Sequence, residues 1–431
     1  MNLLVVAAVC VGCRNSGGSG DDGSTSGSST GETSTGPGSE ASTDVSTTDV
    51  STTFGSTGSS SSTSSTTNAE TTTGTDTAEV TCDDGVVAAG ELCLGPHEVI
   101  VSGRSTAVLS IADFDNDGSV DIAAGHDDGL SVRFGDGAGS FEGAIDLLGG
   151  ASILALAAAD LDGDDVPDLV VAEPTADVVH VLLSNGDRSF DAGQDLSTGA
   201  GPRALALADF DGDRFLDLAV ALEVDGDIGV TLGTGNGTFL GALTVTAGTS
   251  PLGLAAGDLD GVGGADLAVA NFGSGNIGTY LSQVDGFAPP VSVTAQAGPR
   301  DVLLADFDGD GAIDLASIHQ DAATAGFWPG DGSGGLGERF LVQLGDNPRD
   351  AHAADLDGDG HPDMIVALQA GNAVGVLRGD ASDGLGPQEA FATMSDPTAV
   401  AAGDFNLDGA LDVATGSAGP QGGIAIILAT P

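Results

Sequence analysis

Seven times between residues 113 and 412 the chain returns to one acidic nonapeptide of the form D-[FL]-[DN]-x-D-x-x-x-D. The copies begin at Asp113, Asp160, Asp209, Asp258, Asp306, Asp355 and Asp404, at intervals of 47, 49, 49, 48, 49 and 49 residues. In the fourth copy Val262 replaces the fifth-position carboxylate. Such regularity means one supersecondary unit per copy, stacked on its neighbours. The flanks say what the unit is. An alternating small and apolar run precedes each loop, as in Ala204-Leu205-Ala206-Leu207-Ala208, and a second follows it, as in Asp217-Leu218-Ala219-Val220-Ala221. A third run, Gly229-Val230-Thr231-Leu232, leads into a Gly-rich turn closed by Phe239, and Leu243-Thr244-Val245-Thr246 completes the unit. Runs this short, rich in β-branched residues and punctuated by Gly and Asp, are strands.

Four strands per unit and seven units predict an all-β, seven-bladed β-propeller over residues 96–431. The ends of the repeat array agree. The seventh unit stops after its third strand, Ile424-Ala425-Ile426-Ile427-Leu428, while an unclaimed strand, Glu98-Val99-Ile100-Val101, precedes the first loop. The N-terminal strand is therefore expected to complete the last blade, closing the ring and removing an open edge.

Three segments precede the ring. Residues 1–13, MNLLVVAAVCVGC, read as a signal peptide with a lipobox that places Cys13 as the lipidated residue. Residues 14–80 are almost wholly Ser, Thr, Gly, Asp and Glu, a composition that buries nothing, so a disordered tether with a reach of about 45 Å is expected. Residues 81–95 contain CDDGVVAAGELC, where a disulfide between Cys82 and Cys93 is preferred to a metal–thiolate site. This predicts export, as an outer-membrane or cell-surface lipoprotein or else as a secreted protein.

The net charge of −54, from 64 acidic and 10 basic residues, argues against nucleic acid and anionic lipid as partners. Contact with a membrane is expected only through the lipid anchor, and the protein is expected to be a monomer meeting an extracellular protein or glycan.

The acidic loops narrow the chemistry. Carboxylates at alternate positions around a tight turn suit a hard divalent cation such as Ca²⁺. An EF-hand would need Glu at position twelve and a following helix; here that position is Ala124, Val171 or Val220 inside a strand. Calcium-binding β-helices repeat near nine residues, far from the spacing seen. The loops with their trailing Gly-rich turn and Phe resemble the FG-GAP/VCBS repeat family, the calcium-loop propellers found also in integrin α-subunits.

The resemblance implies metal ligands at positions one, three, five and nine, with the backbone carbonyl of position seven. Three sets have all four carboxylates and a sixth-position Gly: Asp113, Asp115, Asp117 and Asp121; Asp306, Asp308, Asp310 and Asp314; Asp355, Asp357, Asp359 and Asp363. Two keep the carboxylates but lose that Gly, to Asp165 in the set Asp160, Asp162, Asp164 and Asp168, and to Arg214 in the set Asp209, Asp211, Asp213 and Asp217. Looser turns are expected there, with Arg214 as a nearby positive charge. The seventh set is Asp404, Asn406, Asp408 and Asp412. About six Ca²⁺ sites follow, with the repeat beginning at Asp258 expected weak or empty.

On the face opposite the loops, Glu173, Asn271, His319 and His126 fall at equivalent positions. Arg203, Arg300 and Arg349 each stand six residues before a loop's first Asp, three of ten arginines at one repeat position. They suggest a cationic rim for an acidic group; the competing reading pairs each with a carboxylate of a neighbouring blade. The six His are scattered and no Cys lies in the ring, so no catalytic constellation is present in the sequence. The expected role is non-catalytic binding or adhesion. The alternatives are a carbohydrate-binding lectin and, behind it, a polysaccharide-degrading lyase or hydrolase.

Overall fold

Each repeat folds as a twisted antiparallel sheet whose strands grow wetter from the inside out. In the third, the order is 202–208, 217–222, 227–233 and 239–246. The second strand, Asp217–Leu222, is buried along its whole length because both its faces are covered by neighbouring blades, whereas Phe239–Thr246 is mostly exposed. This is why second strands are built from Ala, Val and Leu without alternation, and why fourth strands carry the polar residues. The structure, a computed structural model, describes residues 92–380, 384–419 and 421–430, all within one compact unit. The expected signal peptide, lipobox Cys13, tether and Cys82 lie outside the described residues.

Among the described residues there are seven four-stranded sheets, and two short ribbons inserted before the fourth strands of blades four and six. The seventh sheet takes its outer strand from the N-terminal side. Leu94–Val101 pairs antiparallel with Gly423–Ala429, in a register running from Leu94 opposite Ala429 to Val101 opposite Gly423. The ring is closed as expected, by a strand that begins two residues before the anticipated boundary. Leu92 is buried with Val374, Val400 and Ile427 between blades six and seven. Cys93 is disulfide-bonded, and its carbonyl accepts the Thr430 N–H at 3.0 Å.

The core is not central; it is divided among seven junctions, each lined by two adjacent blades. The last junction joins Ile111 and Ile122 of blade one to Ala401 and Ile426 of blade seven. Around the axis, the innermost strands pack against one another in sequence order and back to the first. With so few aromatics in the chain, these junctions rest on small aliphatic side chains packed closely.

The Gly-rich turns explain how blades are locked at one face. The turn of one blade reaches the acidic loop of the blade before it. Gly139 donates to the Phe405 carbonyl at 3.0 Å, Gly237 to Leu161 at 2.8 Å and Gly334 to Leu259 at 2.9 Å. The Phe after the turn packs edge-on against the loop's second residue: Phe190 on Phe114, Phe287 on Phe210 and Phe141 on Phe405.

Candidate metal centres and the channel mouth

Within each acidic loop the first residue fixes the turn. In six of the seven loops its carboxylate accepts the N–H of position six, as from Gly118 to Asp113 at 2.8 Å, Gly311 to Asp306 at 3.0 Å and Gly409 to Asp404 at 3.0 Å; in the fourth, Asp258 accepts the Gly261 N–H at 2.7 Å. Position six takes a left-handed backbone, φ 93° at Gly118 and 90° at Gly311. Asp165 and Arg214 adopt the same conformation, at 67° and 79°, and make the same bond, at 3.0 and 2.9 Å. These turns are therefore not looser, as the missing glycine suggested. They are equally closed and carry the strain of a Cβ in a region that favours Gly.

Positions one, three and nine converge. In at least five loops, including Asp258, Asp260 and Asp266 of the fourth, one oxygen from each of the three carboxylates lies within 4.8 Å of the others. Two oxygens facing each other across a Ca²⁺ ion stand about 4.6–5.2 Å apart. Position five is turned differently. Its carboxylate accepts the N–H two residues on, as in Asp117 to Ser119 and Asp310 to Ala312, both 2.8 Å, and it lies outside the converging trio. Val262 thus removes a turn-forming carboxylate from loop four and leaves the trio standing. The donor set itself fits a hard cation. Asp162 Oδ1 and Asp306 Oδ1 are buried oxygens with no hydrogen-bond donor, which a metal ion would satisfy.

The ninth residue does more than the sequence showed. All seven of these carboxylates are buried at the start of a second strand. One oxygen accepts the N–H of loop position two; the other accepts an N–H at the end of the third strand or just beyond it. For Asp314 the donors are Phe307 at 2.8 Å and Gly330 at 2.7 Å; for Asp412 they are Phe405 at 2.9 Å and Ala429 at 2.7 Å. The residue therefore pins three strands of a blade through one side chain. Burial raises its pKa, to about 7 at Asp121 and Asp363 and to about 6 at Asp168, Asp217, Asp266, Asp314 and Asp412. Neighbouring loop carboxylates add to the rise, against the two backbone donors. The sequence held a signal: Asp266 persists in the one loop that lost its fifth carboxylate.

Two loops have an arginine against the third position. Arg188 of blade two meets Asp115 at 2.6 Å and also pairs with Glu142, while Arg378 lies 3.5 Å from Asp357 and 3.0 Å from Glu389. The sequence pointed instead to Arg214, which is exposed.

The opposite end of the channel has another chemistry. The innermost strands begin there, and most begin with a register shift: between Pro202 and Ala204, Pro299 and Asp301, and Pro348 and Ala351. Such irregularities re-aim side chains. Here they carry Arg203, Arg300 and Arg349, which line one cavity of about 130 Å³ with residues from all seven innermost strands. Neither sequence-based reading of these arginines matches the contacts fully. Arg203 lies 3.8 Å from Glu223 of its own blade and donates to the Leu154 carbonyl at 3.3 Å. Arg300 donates to the Arg349 carbonyl at 2.6 Å and to Gln320 Oε1 at 3.0 Å. Arg349 Nε is buried without a partner. Beneath them, Asp301 and Asp350 accept the N–H of Ala351 at 3.2 Å and Val400 at 2.8 Å, each stapling the next blade's innermost strand. Burial and, for Asp301, the neighbouring Asp350 hold these carboxyls above their usual range.

The other residues singled out on this face serve the fold. His126 is buried between Thr106 and Ser131, with its Nε2 2.8 Å from Ser131 Oγ. Asn271 accepts the Gly248 N–H at 2.8 Å, His319 meets Thr324 at 3.0 Å, and Glu173 pairs with His180 at 3.1 Å.

A family described as "FG-GAP-like repeat" matches residues 113–171, 165–220, 209–269, 306–366 and 355–415, together more than half of the chain. No curated protein sequence matches the chain. Among solved structures, BBS1N in complex with ARL6DN is similar at 15% identity and a TM-score of 0.56, covering 80% of this chain and 97% of that one. A virginiamycin B lyase from Staphylococcus aureus aligns at 12% identity and 0.53, covering 77% and 98%. An Agrocybe aegerita lectin that recognises non-reducing terminal N-acetylglucosamine aligns at 19% and 0.51, covering 77% and 86%. At these identities the likeness is one of fold.

Proposed function

Because the chain belongs to the FG-GAP-like repeat family, we propose that it is a calcium-stabilised, non-catalytic binding or adhesion module, exported and held at the cell surface by a lipid anchor or else secreted. The observation that carries the calcium part is the converging trio of carboxylates with its unpartnered buried oxygens. Calcium chosen by loops with this ligand number works as a fastener at extracellular concentrations of roughly 10⁻⁴–10⁻³ M, not as a sensor. It binds the folded state alone and stabilises it by mass action.

The binding part rests on the division of labour between the faces. Loop side chains are spent on turns and blade junctions, while the other end of the channel gathers three arginines around one cavity, one of them with a buried Nε that has no partner. A lectin that stacks sugars on aromatic rings is the weaker reading, because Trp328 and Tyr280 are 3% and 1% exposed and buried in blade junctions. The test is capture of surface proteins and a glycan screen with the full-length protein, in calcium and in chelator. The module reading expects one partner class retained in calcium and lost in chelator. Turnover of a polysaccharide would replace it with the lyase reading, and capture of nothing in calcium would overturn it.

A further inference from the structure

We propose that the channel mouth opposite the acidic loops is a binding site for an oxyanionic group, a carboxylate or a sulfate carried by a ligand, held between Arg203, Arg300 and Arg349. The inference rests on the binding-module reading and gives it a ligand chemistry.

The first argument is the distribution of charge. The chain holds 64 acidic residues and only 10 basic ones. Arg104, Arg188 and Arg378 all take a carboxylate at 3.5 Å or closer. Among the described residues the three channel arginines do not, and neither do Arg133, Arg214 and Arg339; what sets the three apart is that they share one cavity. Arg300 is held by neutral acceptors, Arg203 has one distant carboxylate, and Arg349 Nε is buried with no hydrogen-bond partner. Asp301 and Asp350 lie beneath the three guanidiniums and Glu223 stands 3.8 Å from Arg203, so the carboxylates are offset from the guanidiniums that line the cavity.

The second argument is the cost of that arrangement. Like charges brought together in a confined, partly dehydrated space repel strongly. Burial, then Arg349 and Arg203, press Arg300 down to about 10. Arg349 is lowered by burial and by Arg203. A buried donor without an acceptor adds a further penalty. An oxyanion removes both costs at once, since guanidinium forks match planar and tetrahedral oxyanions with paired hydrogen bonds.

The third argument is aim. The irregular starts of three innermost strands put these side chains, and no other charged residues except Asp301 and Asp350, around the cavity. Its volume of about 130 Å³ admits one small group at the tip of a larger molecule. Gly253 lets the innermost strand of blade four approach that of blade five closely at this point: a Cβ there would come within 2.6 Å of the Asp301 backbone.

The test is calorimetric titration of the calcium-loaded, full-length protein at low ionic strength with sodium sulfate and with D-glucuronate. The expected result is 1:1 binding of at least one, weakened tenfold or more in Arg349→Met and Arg300→Met and unchanged in Arg339→Met, a surface control. Sulfate binding alone identifies a tetrahedral group; glucuronate binding identifies a sugar carboxylate. Absence of saturable heat from both, or equal binding by Arg349→Met, overturns the proposal. Should the variants fail to melt cooperatively, the wild type decides by phenylglyoxal labelling read by peptide mass spectrometry. Protection of Arg300 and Arg349 but not Arg339 by the anion supports the site, and equal labelling overturns it. Partner capture that survives Arg349→Met while neither anion binds leaves the module reading standing and removes this site alone.

Discussion

The two ends of the channel are made from the same repeat and differ in how strictly they obey it. At the loop end, positions six and nine do the same work in blade after blade, down to a left-handed sixth residue even where it is Asp165 or Arg214. At the other end the equivalent position is Ala107, Leu154, Arg203, Leu252, Arg300, Arg349 and Thr398, with no common chemistry. What every blade needs is repeated; what only the assembled ring needs is free to vary. The comparison teaches that the motif which announces the fold is poor evidence for the partner, and that departures from the repeat are the place to look.

The largest effect expected at the loop end separates its two roles. Asp314→Ala leaves the N–H groups of Phe307 and Gly330 unpaired in the interior. It should cost about 3–5 kcal/mol, and do so in chelator as well as in calcium. Asp308→Ala, which removes a convergent carboxylate without those bonds, should destabilise strongly in calcium and little in chelator. Urea denaturation of both variants under both conditions checks the pair. Equal losses in calcium and in chelator for Asp308→Ala would erase the distinction.

A smaller effect is expected from pH. In the metal-free fold the ninth-position carboxyls titrate near 6 to 7, above the ordinary range because they are buried. Between about pH 4 and 7 the native state holds protons that the unfolded chain has released, so their contribution to metal-free stability is lost as pH rises. Calcium must displace the same protons. The melting-temperature gap between calcium and chelator should therefore widen from pH 5.5 to 7.5. A gap independent of pH would remove the ninth position from the ligand set.

The smallest effect tests the strain. Asp165→Gly and Arg214→Gly should each stabilise by about 0.5–1 kcal/mol, because Gly occupies the left-handed region without a Cβ penalty. Thermal melting in chelator measures this without interference from metal.

Most of the fold was legible because its information is local and copied. Strand order, blade number and closure by Glu98–Val101 follow from spacing and from one missing strand. The convergence of positions one, three and nine was legible as a ligand pattern. The turn-forming role of Asp117 and its equivalents was not, since a carboxylate serving a turn and one serving a metal look alike in sequence. Contacts between blades were also hidden. Nothing near Asp115 announces Arg188, which arrives from the next blade, or near Arg349 that its Nε goes unpaired. Those depend on which strands the ring sets side by side.

The central claim is that the loops are cation sites fastening a closed ring. Its most direct test is thermal unfolding of the full-length protein in 1 mM calcium and in excess chelator at pH 7.5. Several sites binding only the folded state, each contributing about 0.4–1.4 kcal/mol when calcium exceeds its dissociation constant one- to tenfold, together predict a clear rise in melting temperature with calcium. Superimposable unfolding curves would contradict the account.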